Sequence, residues 1–140
     1  MTGMISLDRA EVLQAAGLRW TPVSGDRFAI RQPAMAGEVF TISEMTIEPH
    51  HHPSGTVLGF NGTTEWALDS VTQDDAIWLP REDQLRDLLG GTFRSLARSL
   101  DGRFLVVVEL PGQPERAFAA DQAADAYADA VLALVSAARV

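Results

Sequence analysis

The segment Glu48-Pro49-His50-His51-His52-Pro53 holds all three histidines of the chain and is its most visible cluster of metal-ligating side chains. In an extended backbone side chains alternate between faces, so Glu48, His50 and His52 would share one side. Two imidazoles and a carboxylate could hold a divalent metal with one coordination position open, as a small metal-dependent hydrolase requires. Contiguous His is not the usual spacing of a preformed site, however, and the flanking prolines favour a loop at a sheet edge. There is also no H-E-x-x-H pattern to complete a ligand set. A solvated loop with adventitious zinc or nickel affinity is the simpler account.

Other chemistries find less support. A serine triad would have to bring Ser24, Ser43 or Ser54 to the histidine loop, and the chain has no G-x-S-x-G elbow. Asp74-Asp75 reads as a solvated turn, and Glu82-Asp83 is explained by the helix start it occupies. Gly59-Phe60-Asn61-Gly62 and Gly90-Gly91 lack the spacing of a dinucleotide fingerprint. Trp20, Trp66 and Trp78 are core residues by default. They are also the candidate anchors for a partner, or for a small-ligand pocket lined by Trp66 and Trp78, because Trp is enriched at binding hot spots.

Composition sharpens these exclusions. All 11 basic residues are Arg, so the chain has no Lys, and it has no Cys. A Walker A loop and a Schiff-base enzyme both need Lys, while thiol nucleophiles, disulfides and Cys-ligated metals need Cys. Against 19 acidic residues the net charge is −8, which argues against nucleic acid and anionic membrane as partners. No stretch approaches the roughly 20 apolar residues of a membrane span. The first residues lack a charged region followed by an apolar one, so a cytoplasmic location is expected. A length of 140 residues suits a single domain over 1–140.

These residues must be positioned by short elements. Ser6 caps a helix that stops at Gly17, with Leu7, Ala10 and Leu13 as its inner stripe and Trp20 beyond as a lid. From there to about residue 60, Pro and Gly punctuate the apolar runs Arg27–Arg31, Glu38–Ile42, Met45–Glu48 and Thr56–Phe60, the pattern of short antiparallel strands. Asn61-Gly62 is a turn. Thr63–Val71 reads as a short helix, with a strand as the alternative, and Ala76–Leu79 as a brief extended run. Leu85, Leu88, Leu89, Phe93, Leu96 and Leu100 keep helical spacing, which predicts a helix over 81–99 kinked at Gly90-Gly91. Arg103–Leu110 and Glu115–Ala119 read as a hairpin. Asp121 caps a last helix reaching about Ala138, with Ala124, Tyr127, Val131, Leu134 and Ala138 inward and Asp125 and Asp129 on its wet side.

The run Gly59-Phe60-Asn61-Gly62-Thr63-Thr64-Glu65-Trp66-Ala67-Leu68-Asp69-Ser70-Val71, followed by Ala76-Ile77-Trp78-Leu79-Pro80-Arg81-Glu82-Asp83, resembles a family of short actinobacterial proteins. Ala16–Pro22, Gly25–Phe28, Phe118, Asp125–Ala128 and Ala130–Leu132 extend the resemblance over nearly the whole chain. Some members carry a pilus-assembly label, which normally belongs to an ATPase with a phosphate loop. This chain has no such loop, and the resemblance transfers no functional residue.

The expected fold is α+β: a curved antiparallel sheet of about five to seven short strands with helices on one side, ending in an α-β-β-α half. The expected function is that of a non-catalytic cytoplasmic protein that binds a protein partner or its own copy and needs no cofactor. The alternatives are a metal-dependent hydrolase using Glu48, His50 and His52, and a small-ligand binder.

Overall fold

The computed structural model of the protein describes residues 3–31, 37–42, 47–52, 55–60, 70–72 and 75–138, the stretches between 47 and 72 by their backbone. Three helices and nine strands occur among them: α1 (Leu7–Ala15), β1 (Arg27–Ile30), β2 (Phe40–Thr41), β3 (Ile47–His52), β4 (Gly55–Phe60), β5 (Ser70–Thr72), β6 (Ala76–Trp78), α2 (Glu82–Leu89), β7 (Phe93–Arg98), β8 (Phe104–Val108), β9 (Arg116–Ala120) and α3 (Ala123–Ala138). Every pairing among them is antiparallel, in the three-stranded orders β2-β1-β6, β3-β4-β5 and β7-β8-β9. This is the expected mixed α+β class, with the strands shared among three short sheets. The chain divides into two compact units, Trp20–Leu79 and Met1–Arg19 with Pro80–Val140.

In the Trp20–Leu79 unit, β1 is flanked by β2 and β6, with Phe28 opposite Phe40 on one side and Trp78 on the other. Trp20, Phe28, Ile30, Ile42 and Ala76 form the core of this sheet, with Phe40 and Trp78 packed against it. Trp20 therefore belongs to the core of this sheet. β3 is an edge strand. That position tolerates Pro49, opposite Leu58, because an edge strand has a neighbour on one side only. Residues 61–69, which include the Asn61-Gly62 turn, most of the helix expected over Thr63–Val71, and Trp66, lie outside the described residues. Ser70 and Val71 are in strand β5.

In the other unit, α3 packs on β8 and β9, and α1 and α2 pack on α3. The β8–β9 hairpin lies where alternation placed it. The helix expected over 81–99 does not: it ends at Leu89, and Phe93–Arg98 is a strand. Gly90 takes φ 54° and ψ −132°, a conformation outside the helix, and one 3₁₀ turn at Gly90–Thr92 follows. Thr92 Oγ1 donates to the Leu89 carbonyl at 2.7 Å and closes the helix end. A bulge between Phe93 and Ser95 explains the misleading spacing. Phe93 lies opposite Val108 and Leu96 opposite Val106, so both face one side of the sheet although they stand three residues apart.

That side of the sheet is covered. Val106, Val108 and Ala120 are buried, as are Ala124, Tyr127 and Val131 of α3. Phe93 stacks against Tyr127 at 5.8 Å, and the Arg86 guanidinium lies 4.4 Å from the Phe93 ring. The opposite side carries Ser95, Ala97, Leu105, Val107, Ala117 and Ala119, and no residue among them is fully buried.

Candidate functional site

The sequence-predicted candidates all fall within the stretch Trp20–Leu79 of the chain. Glu48, His50 and His52 occupy alternate positions of β3, opposite Gly59, Val57 and Gly55. The segment is thus an edge strand, and Trp66 lies outside the described residues. Trp20 and Trp78 do meet, stacked with centroids 6.4 Å apart and ring planes within 6°. Trp20 Nε1 donates to Asp26 Oδ2 at 2.9 Å, while the buried Trp78 Nε1 has no hydrogen-bond partner among the described residues. Among the described residues, no group of three His, Asp or Glu side chains could hold a metal ion. No described helix is long and apolar enough to cross a membrane.

A site that sequence reading missed lies between α1 and α3. Ser6 caps α1 by accepting from Arg9 N at 3.3 Å, and its own backbone N–H donates to Asp125 Oδ1 at 2.7 Å. Arg9 Nε and Nη2 donate to the two oxygens of Asp129 at 2.9 and 3.3 Å, and Arg9 Nη1 lies 3.3 Å from Asp125 Oδ2. The bidentate fork fixes the guanidinium in orientation as well as charge. The Asp129 hydrogen bond, opposed in part by burial, raises the guanidinium pKa above its ordinary value. Asp125, expected on the wet side of α3, is only 9% exposed. Its lone pairs are used by the N-terminus of α1, which accounts for a carboxylate in that position.

Beside this clamp the two helices leave a hollow of about 340 Å³ lined by Asp8, Arg9, Val12, Leu13, Ala128, Asp129 and Leu132. Leu13 and Ala128 are buried, whereas Val12 is 47% exposed. Leu132 is half-buried, as are Ala133, Leu134 and Val135 after it, and Ala138 is exposed. The last turns of α3 are thus apolar on every side without being enclosed, a pattern normally found in buried helices. The signal in the sequence was an excess of apolar residues off the stripe. Val12 lies beside, not on, the Ala10–Leu13 stripe, and Leu132 beside that of Ala124, Tyr127 and Val131.

The groove has apolar walls, an acidic rim and an arginine already held by two carboxylates. Its surfaces can exclude water from an apolar side chain and attract a cation. No protein-family model, curated protein or solved structure matches this chain.

Proposed function

We propose that this chain is a non-catalytic cytoplasmic interaction or accessory protein that docks a protein partner in the α1–α3 groove. The observation that carries this reading is the pair of walls, Val12 and Leu132, left open to water over a floor of buried Leu13 and Ala128. An exposed apolar concavity rimmed by charge has the anatomy of a docking site, where water-excluding contacts supply affinity and the rim supplies selectivity. A photo-crosslinking residue at position 12, compared with one at exposed Glu115, tests it in the native host cell. The expected product is one identified protein joined at position 12 only. Its purified form should bind the native chain and bind Val12→Asp at least tenfold more weakly. Identical adducts from both positions, or rebinding indifferent to Val12→Asp, would overturn it.

The strand conformation of Ile47–His52 favours a second reading, a metal-dependent hydrolase, because it sets Glu48, His50 and His52 at alternate positions of one edge. Divalent zinc held there would polarise a carbonyl and acidify bound water. Native mass spectrometry of untagged protein with one equivalent of zinc decides it. A stoichiometric adduct that resists a weak chelator and disappears in His50→Ala/His52→Ala supports the site, and no adduct removes it.

A further inference from the structure

We infer that the element received by the α1–α3 groove is a cationic amphipathic helix of the partner, its apolar ridge in the hollow and a Lys or Arg on Asp8. This inference rests on the docking reading above and adds the chemistry of the occupant. Charge is the first observation. Among the residues lining the hollow, Asp8 and Asp129 accompany one cation, Arg9, whose guanidinium is within 3.3 Å of both Asp129 and the buried Asp125 behind it. Asp8 makes no ion pair among the described residues, and Glu11 lies one position before Val12 on the same helix. The lining is therefore one negative charge in excess, and that charge, Asp8, borders the apolar wall. An incoming cation at Asp8 gains attraction, whereas an incoming carboxylate meets like charge beside a surface being dehydrated.

The same arithmetic disfavours a second copy of this chain. Groove against groove would gather Asp8 and Asp129 of both copies at one seam, in a protein whose net charge is already −8. Secondary structure is the second observation. The walls are two helices whose backbone groups are satisfied internally, so no strand edge is available to pair with an extended peptide. Recognition has to come from side chains, and a helix brings its own backbone bonds satisfied while presenting a ridge at i, i+3 and i+4. The apolar last turns of α3, Leu132 to Val135, extend the surface along which such a ridge would lie.

The test is a titration of isotope-labelled full chain with three model peptides followed by amide chemical shifts. One is an amphipathic Leu/Lys helix, one has Glu in place of Lys, and one has Gln. The expected result is saturable shifts at Val12, Ala128 and Leu132 with the Leu/Lys helix, and at least tenfold weaker binding of the Glu peptide. Asp8→Lys should weaken the Leu/Lys helix at least tenfold and strengthen the Glu peptide. Asp8→Asn, a smaller change at an exposed site, should show an intermediate loss with an unchanged free spectrum. Equal binding of all three peptides at the groove would overturn the cationic partner while leaving groove docking intact. Shifts from the Leu/Lys peptide scattered over other acidic surfaces, or persisting in Asp8→Lys, would overturn the inference as well. Silence of the groove towards every peptide would count against both. A free chain that sediments as a dimer, and as a monomer when Val12→Asp is introduced, would assign the groove to a second copy and also overturn it.

Discussion

Trp20 and Trp78 are stacked nearly parallel, yet among the described residues only one of the two indole N–H groups has an acceptor. Trp20 donates to the buried carboxylate of Asp26, which also accepts from Val23 N at 3.1 Å, and Trp78 Nε1 has no acceptor among the described residues. The two rings share one apolar environment and differ in polar bookkeeping, so they should respond differently to the same substitution.

Trp20→Phe removes a donor from a carboxylate that is 2% exposed and should cost about 2 kcal/mol or more, because an acceptor left short in the interior loses more than a surface bond is worth. Trp78→Phe removes an N–H that already lacks an acceptor. It keeps most of the ring contact with Trp20 and should change stability by less than about 1 kcal/mol. Urea unfolding of the two variants measures the difference, and a larger loss in Trp78→Phe would show that its N–H does have an acceptor in solution.

The clamp between α1 and α3 makes a second asymmetry. Asp125 accepts from Ser6 N and faces Arg9, and its side chain is 12% exposed against 31% for Asp129. Asp125→Ala should destabilise by about 1–3 kcal/mol, since it leaves the Ser6 N–H at the helix start without its acceptor and removes one carboxylate from a partly exposed cation. Asp129→Ala leaves Arg9 its other partner and should cost about 0–1 kcal/mol, in the range of a solvent-screened pair. Thermal or urea unfolding of both variants checks the order.

What could be read in the chain beforehand follows local chemistry. The cap at Ser6, the left-handed stop at Gly17 (φ 105°), the β8–β9 hairpin and the Ala124, Tyr127 and Val131 part of the α3 stripe depend on neighbours within a few residues and are legible, whereas Leu134 is half-buried and Ala138 exposed. Phe93 and Leu96 were misread because a bulge consumes one residue and gives a strand the three-residue spacing of a helix. Asp125 was placed on the wet side because its partner Ser6 is 119 residues away. The groove was hidden for the same reason. Val12 and Leu132 are unremarkable surface aliphatics until α1 and α3 are neighbours, and no periodicity announces which helices will meet.

The stop at Gly90 gives a third prediction. Gly90 has φ +54°, where an L side chain is strained, whereas Gly91 has ordinary φ, and a Cβ at either position would meet nothing within 4 Å. Steric room is therefore equal and only backbone conformation differs. Gly90→Ala should cost about 1–2 kcal/mol. Gly91→Ala should be neutral or stabilising by a few tenths of a kcal/mol, about what reduced freedom of the unfolded chain provides. Equal effects in denaturant titrations would show that the turn can relax without its left-handed residue.

The absence of Lys and Cys returns as an experimental advantage. The chain has one Tyr, Tyr127, and no other side chain that ionises between about pH 9 and 12, because Arg stays protonated throughout that range. Burial raises the Tyr127 pKa above its ordinary 10.0, and the nearby Arg86 cation opposes the shift. The sign follows from proton counts. Above about pH 10 the unfolded chain gives up the phenolic proton before the folded one, so fewer protons are bound in the unfolded state and stability falls as pH rises. Below the unfolded value both states hold the proton and the contribution is flat. The wild-type chain should therefore lose stability from about pH 10 upward, with one late tyrosinate transition in ultraviolet absorbance while it remains folded. Tyr127→Phe keeps the ring against Phe93 and should flatten that alkaline decline. An unchanged decline in the variant would mean that a group other than Tyr127 governs alkaline unfolding.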